Sequence, residues 1–480
     1  MNGRRPVAWL AFGMILALGV DLTAAEITAN PATLAETLAK CQGGETILLA
    51  AGDYPALVIN KKFPTDVTIK SAEALKARML GGISFSAASH VVVEGMTLTW
   101  PQGGKAGSRF VDIKQSDHIQ VRNCEIYDDP AKETWQGMSV MVSQSSDVLI
   151  KGGRFHHVNF GVCLYQSKQV TVDGVDVGPW SNEDGVRLQY CDGALIQNNH
   201  IHNDNRVGKP ATGHVDCIQF VYWSHNVTIK NNVLNCAMQG IGAFGSAKKG
   251  EPKVPLKNWR FEGNLIYDIY TPHFMTVCDA ESPVFINNTL PQGRLVLGQG
   301  TTNALVKNNI MFNGGRSIKA DYVKELDYNL WIGKPDGMPP GPNCKVVEDA
   351  GFVNAPVFFT TTNWGKTKEC TRSKFMASGQ GFAVGDLVEI LNPNGMARDG
   401  VLRKVTKVAA DYIEVDPPID QDPAGPVILI NKWVPGTTST KLDYRLKPSS
   451  PAVDSGADVQ RQGVIGKPDR GAFEYDSEAK

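Results

Sequence analysis

Short runs of alternating apolar and β-branched residues recur between residues 90 and 311, each broken by a polar or glycine pair. The phrase reads HVVVEGMTL from 90, HIQVRNCEI from 118, VLIKGGRF from 148, VTVDGVDV from 170 and ALIQNNHI from 194. It continues as VTIKNNVL from 227, WRFEGNLI from 259, VFINNTL from 284 and ALVKNNIM from 304. The period of two predicts strands with one buried face. The break falls at Gly95, Asn123, Gly152, Gly174, Asn198, Asn231, Gly263, Asn287 and Asn308, in steps of 28, 29, 22, 24, 33, 32, 24 and 21 residues. Gly and Asn are the residues that tolerate a left-handed bend. Strands this short cannot bury a face alone, but stacked turns share one core. The pattern therefore predicts an all-β chain, a single-stranded right-handed parallel β-helix. The short steps are bare turns and the long ones carry inserted loops. Stacked Asn side chains at the bend can bond from turn to turn. A sandwich or propeller with 20–30-residue spacing lacks that corner on every rung.

The ends break the rhythm. Residues 28–60 predict an N-terminal cap helix followed by a strand and turn, covering the first rung as a solenoid end requires. Residues 375–432 hold VGDLVEI, GVLRKVTKV and DYIEVDPPI, the pattern of a small inserted β-module. Residues 433–480 return to the solenoid as its C-terminal closure. At the start, Arg4 and Arg5 precede the apolar run Val7–Val20 and the small residues Thr23 and Ala25. That is the layout of a signal peptide over 1–25, and it predicts a periplasmic or secreted mature chain, not held in the membrane once cleaved. The β-helix then occupies 26–374.

Composition narrows the function. Lys and Arg number 48, Asp and Glu 49, and the net charge is −1. No global basic field exists, which disfavours a nucleic-acid partner. Nine cysteines without a C-x-x-C pair argue against a zinc cluster, and most sit in apolar strand patterns. Cys41, Cys344 and Cys370 lie outside those patterns and are the better candidates for disulfides. P-loop and HExxH motifs are absent from the sequence, and no organic cofactor is expected.

Equal positions on successive turns stack about 4.8 Å apart, so aligned rungs reveal a surface stripe. The first strands of five turns are NFGVCLYQ (159–166), EDGVRLQY (183–190), VDCIQFVY (215–222), MQGIGAFG (238–245) and PHFMTVCD (272–279). Alignment stacks Phe160, Asp184, Asp216, Gln239 and His273. It sets Cys163, Arg187, Gln219, Gly242 and Thr276 in the first outward row, and Tyr165, Gln189, Val221, Phe244 and Cys278 in the next. Glu183, His214 and Tyr222 flank them. Catalytic candidates are Asp184, Arg187, His214, Asp216 and His273. Tyr165, Gln189, Gln219, Tyr222 and Gln239 are candidates for holding sugar rings. Lys248 and Lys249, in the inserted run 245–260 with Lys253, Lys257 and Arg260, make a local basic patch for carboxylate or sulfate groups. Glu183, Asp184 and Asp216 could together hold Ca²⁺.

The run TLAETLAKCQGGETILLAAGDY, the rungs and the ending SPAVDSG…PDRGAFEY resemble secreted carbohydrate-active β-helix proteins. These are polysaccharide lyases of the chondroitinase B, alginate lyase and pectate lyase types, and pectin-type glycoside hydrolases. The resemblance implies a polysaccharide substrate. NEDG (182–185) and VDCIQF (215–220) are similar to the hydrolases' N-T-D-G and D-D-C motifs, which carries acid/base roles to Asp184 and Asp216. Their G-H-G is MQG here (238–240), and their R-x-K has no counterpart. YDIYTPH (267–273) resembles the Y-G-x-D-P-H of alginate epimerases, with Thr271 in place of the Asp. The first expectation is a lyase that cleaves a uronic-acid polymer by β-elimination. In that reading Arg187 neutralises the carboxylate or serves as base, His214 is the easier base, and His273 or a Tyr protonates the leaving oxygen. The alternatives are an inverting hydrolase using Asp184 and Asp216, and a non-catalytic carbohydrate-binding or adhesion solenoid.

Overall fold

The computed structural model describes residues 25–102, 107–132, 134–203, 215–245, 254–269, 273–312, 318–333, 340–355, 359–379, 382–391, 399, 401–431, 442–459 and 467–475. The expected signal peptide, His214, Lys248, Lys249 and Lys253 lie outside them. The chain winds as a right-handed parallel β-helix with three sheets. Sheet I runs from Leu57–Ile59 to Arg294–Leu297, sheet II from Glu26–Ala29 to Val323–Asp327, and sheet III from Gly52–Tyr54 to Lys345–Val347. Every pairing within them is parallel, and each strand bonds to the strand one turn before and one turn after.

Register explains the core. On sheet II, Ile47, Ile69, Val93, Val121, Ile150, Val172, Ile196, Ile229, Phe261, Phe285 and Val306 form one column. All are buried. Each contributes about 1.5–3 kcal/mol of burial, and a one-residue slip of any strand would turn its members outward.

All nine Gly and Asn bend positions have positive φ, between 51° at Asn123 and 66° at Gly95 and Gly174. The asparagine ladder runs one residue later than the bend. It comprises Asn199, Asn232, Asn264, Asn288, Asn309 and Asn329, all buried. Each Nδ2 donates to the next Oδ1 at 2.9–3.0 Å. The Nδ2 of Asn264 also donates to Ile229 O at 2.9 Å, and its Oδ1 takes the backbone N–H of Asn232 at 3.1 Å. Bend residues point outward because an αL residue turns its side chain away from the coil, so only their followers can line the interior.

The cap helix Leu34–Lys40 buries Leu34 and Leu38 against the first strands. A separate six-stranded antiparallel sheet extends from Phe359–Thr361 to Ile428–Asn431, with its own core around Phe375, Val388, Ile390, Val405, Ile413 and Leu429. It thus draws in residues before 375, since Phe359–Thr361 pairs with Ile428–Asn431. The C-terminal segment lies along the flank of the last turns. Arg470 Nη1 donates to Asn329 O at 2.9 Å, Asn308 Nδ2 to Ala457 O at 2.7 Å, and Asn287 Nδ2 to Asp469 O at 3.0 Å. All nine cysteines are free thiols, Cys41, Cys344 and Cys370 included. The Cys370 sulfur instead accepts the Met376 N–H at 3.3 Å.

Candidate functional site

Sheet I buries Val162, Leu164, Val186, Leu188, Ile218, Phe220, Ile241 and Ala243, which turns the alternate residues outward. The outward rows form as aligned. Cys163, Arg187, Gln219, Gly242 and Thr276 are successive partners, and so are Tyr165, Gln189, Val221, Phe244 and Cys278. Asp216 faces Gln239 in register. Asp184 and Asp216 are neighbours on adjacent turns, with the Asp216 N–H donating to Asp184 Oδ1 at 3.0 Å. His273 opens the next strand, and its side chain lies outside the described set.

Three charges lock together beside this row. Arg187 Nε donates to Asp184 Oδ2 at 2.7 Å, and its Nη2 donates to Glu183 Oε2 at 2.9 Å. The guanidinium also lies 4.9 Å from the centre of the Phe160 ring. Burial works to lower the Arg187 pKa, but the charge and hydrogen bond of Asp184 together with the charge of Glu183 outweigh it and the net shift is upward. Arg187 is therefore a fixed cation and no base. Burial pushes the Asp184 carboxyl up, against the pull of Arg187. Asp216 is raised well above the ordinary carboxyl range, first by burial and then by the charge of Asp184. Two close carboxylates driven apart in this way are the arrangement that yields an acid and an anion side by side. The Cys163 thiol beside Arg187 is pushed up to about 12 by burial, so it stays neutral.

Space accompanies the charge. A groove of about 490 Å³ is lined by Gln136, Met138, Asn159, Phe160, Glu183 and Arg187. Further along the row, a Cβ on Gly242 would come 2.5 Å from Asp216 Oδ2 and 2.9 Å from Gln239 Oε1. The bare backbone there leaves room for the two side chains to converge over it. Gln239 Oε1 and Thr276 Oγ1 are buried and have no hydrogen-bond partner among the described residues, a state native proteins avoid except where a ligand or strain accounts for it.

The Ca²⁺ set fits poorly. Glu183 and Asp184 both direct oxygens at Arg187, and the second Asp184 oxygen takes a backbone N–H. A guanidinium already stands where the cation would sit. Of the described basic residues in 245–260, Lys257 lies 3.5 Å from Glu281 and Arg260 lies 2.7 Å from Glu262, both in strand Leu256–Glu262 of sheet II. Those two are not part of a patch facing sheet I.

At the corner between sheets I and II, Tyr222 stacks on Tyr190 at 4.8 Å and 9°, and Tyr165 meets Tyr190 edge-on at 6.0 Å. Trp223 stands edge-on to Tyr190 and stacks on His225 at 5.2 Å. Tyr190, Trp223 and His225, with Gln166, Lys168 and Asp192, border a second hollow of about 490 Å³. Alignment of the strands alone misses Tyr190, Trp223 and His225. The signal was present in the corner position itself, which is Gln115, Gln144, Gln166, Tyr190 and Tyr222 on successive turns, all with positive φ.

No curated protein matches this sequence. Among solved structures, pectate lyase Pel9A aligns over 95% of this chain and 97% of its own, with 13% identity and a TM-score of 0.44. An arginine-to-alanine mutant of the PL6 family alginate lyase AlyGC aligns over 69% of this chain at 15% identity and a TM-score of 0.44, and the alignment spans about half, 54%, of that lyase. PfbA, a surface adhesin of Streptococcus pneumoniae, aligns over 63% of this chain and 82% of its own, at 12% identity and a TM-score of 0.40. The family described as "right handed beta helix region" matches residues 81–254, the stretch that carries Asp184, Arg187 and Asp216.

Proposed function

We propose that this chain is an exported enzyme that cleaves an acidic polysaccharide by β-elimination. The observation that carries this reading is the Arg187 guanidinium, locked by Asp184 and Glu183 on the wall of an open groove near a buried Asp216 whose carboxyl is shifted upward. Elimination from a uronate requires three acts. The sugar carboxylate must be neutralised, the proton on the neighbouring carbon taken, and the leaving oxygen protonated. Arg187 binds the carboxylate with the donors it has left. Asp216 donates the proton, since burial favours its acid form. His214, two residues before Asp216 in the chain, takes the carbon-bound proton. Lys248 and Lys249 add attraction for the polyanion, and Tyr165, Tyr222, Gln189, Gln219 and Gln239 hold its rings and hydroxyls.

One observation favours a second reading. A carboxyl shifted upward, as that of Asp216 is, also suits the general acid of an inverting hydrolase. Against it, both oxygens of Asp184 are already engaged, which leaves that carboxylate poorly placed to activate water.

The test is a screen of the chain from Glu26 onward on acidic and neutral polysaccharides, with and without chelator. Ultraviolet absorbance of an unsaturated uronate and total reducing ends are read together. Both should rise on a uronate polymer, and chelator should leave the rate unchanged. Reducing ends without absorbance would replace elimination by hydrolysis, and binding without either would leave a carbohydrate-binding solenoid. On an oligosaccharide substrate, Tyr222→Ala should lose about 1 kcal/mol of binding, roughly fivefold in Kd, by removing half of the stacked pair. Calorimetric titration checks this, with kcat expected to hold.

A further inference from the structure

Sheet III carries a cluster that has no part in the groove on sheet I. Strand His200–His202 places two imidazoles at alternate positions, hence on one face. Between them Ile201 is buried and anchors the strand to the core. Asp176 is in register with His200 on the preceding turn, and Asn235 with His202 on the following turn. The side chains converge diagonally. Asp176 Oδ1 lies 2.9 Å from His202 Nε2, and Asn235 Oδ1 lies 3.1 Å from His200 Nε2. The two imidazoles stack face to face at 4.2 Å and 17°. One donor atom from each of Asp176, His200 and His202 falls within 4.8 Å of the others.

This is a donor set for a borderline divalent cation. Tetrahedral zinc holds nitrogen and oxygen ligands about 2.0–2.1 Å away, which sets the ligands roughly 3.3 Å apart. The Asp176–His202 separation of 2.9 Å is close to that edge, and the His200 ring reaches it by rotating toward the pair. An ion pair on the sheet face would account for one histidine. It gives no reason for a second imidazole stacked on the first, with its nitrogen turned to an amide oxygen. Two imidazoles and one carboxylate suit Zn²⁺ and its first-row neighbours better than Ca²⁺, which takes oxygen ligands. Parallel strands held by ladder bonds on both sides fix the backbone positions, as a metal site needs.

We propose that Asp176, His200 and His202 form a zinc-class metal site that ties two successive turns of the β-helix, with Asn235 on a third turn as its supporting oxygen. This site stands apart from the proposed lyase chemistry, and its test needs no substrate.

Metal-stripped full-length chain is titrated calorimetrically with Zn²⁺, and separately with Co²⁺ as a spectroscopic probe. The expected result is one tight equivalent, visible absorption of tetrahedral Co²⁺, and a Tm that rises with Zn²⁺. Asp176→Asn and His200→Gln, both at partly exposed positions, should each weaken binding at least tenfold and abolish the visible bands. Their Tm in chelator should equal that of the parent. Asn235→Ala should weaken binding roughly tenfold, as outer-shell partners do. A parent chain that binds no Zn²⁺, or tight binding that survives in both Asp176→Asn and His200→Gln, would overturn the proposal.

Discussion

Asp216→Asn is expected to turn over roughly 10²–10⁴ times more slowly than the parent chain, the usual contribution of a general acid, while folding at least as well. The two effects have one cause. Asp216 is fully buried next to Asp184, and burial with that neighbour's charge raises its carboxyl well above the ordinary range. An amide has the same shape and no proton to give. It also has no charge to suppress. The sign follows from linkage. The folded pKa of Asp216 lies above the unfolded value of about 3.9, so over that window the folded chain holds a proton that the unfolded chain has released. The associated stability is complete below the unfolded value and is lost as pH rises through the window toward the folded one. Asp216→Asn removes this loss, so its Tm should exceed the parent's at neutral pH and converge with it in acid. Paired measurements of kcat and of Tm against pH check both halves. Full turnover in the variant would remove Asp216 from the chemistry, and a lowered Tm at neutral pH would make it a structural carboxylate.

The second large effect concerns stability alone. Asn264→Ala should destabilise the solenoid by roughly 3 kcal/mol or more. The Asn264 side chain satisfies four buried groups. Its Nδ2 donates to Asn288 Oδ1 and Ile229 O, and its Oδ1 accepts from the backbone N–H and the Nδ2 of Asn232. Alanine deletes all four bonds in a site that water does not reach, leaving Asn288 Oδ1 with only the residue-264 N–H and Asn232 Nδ2 with only Ile196 O. The contrasting substitution is Asn231→Gly, at a bend with φ 56° and an exposed side chain. Glycine adopts that φ freely, so a change within about 0.5 kcal/mol is expected. Chemical denaturation of the two variants should separate them cleanly. Equal midpoints would mean that the ladder adds nothing to the coil.

These asparagines show what the sequence made legible. Nine bends could be placed because Gly and Asn tolerate φ near +55° best; bends held by other residues, such as Gln115 and Tyr190, carry no such mark. The ladder itself was read one residue early, since N-N pairs do not reveal which member faces inward. That depends on the sense in which an αL residue rotates the chain. The rows Asp184–Asp216–Gln239 and Arg187–Gln219–Gly242 were legible because parallel register is fixed by inward Val, Ile and Leu. The ion pairs of Arg187 were not, because Glu183 and Asp184 precede the strand Val186–Gln189, where parallel register does not fix the direction of a side chain. Tyr190 holds the same corner position as Tyr222, but strand alignment does not show that two corner rings stack across turns. Asp176, His200 and His202 were missed because their contact crosses turns on sheet III, where the short strands invited no alignment.

The C-terminal segment that lies along the last turns has a consequence for how the chain acquires its structure. Strand pairs within the coil join residues 15–34 positions apart, as from Leu330 to Lys345 or from Ile241 to Met275. Turns of that kind can add one after another as the chain emerges from its N-terminus. By contrast, Asn287 bonds to Asp469 across 182 positions, and Ala472 bonds to Thr289 across 183. Loop closure over such spans is slow and late. The turns that carry Arg187 and Asp216 can therefore be complete while the outer corner at Asn287 and Asn308 still awaits the final residues. A chain shortened at its C-terminus would keep a formed groove above a distal end that never locks, and its first region to open would be the one synthesised last but one.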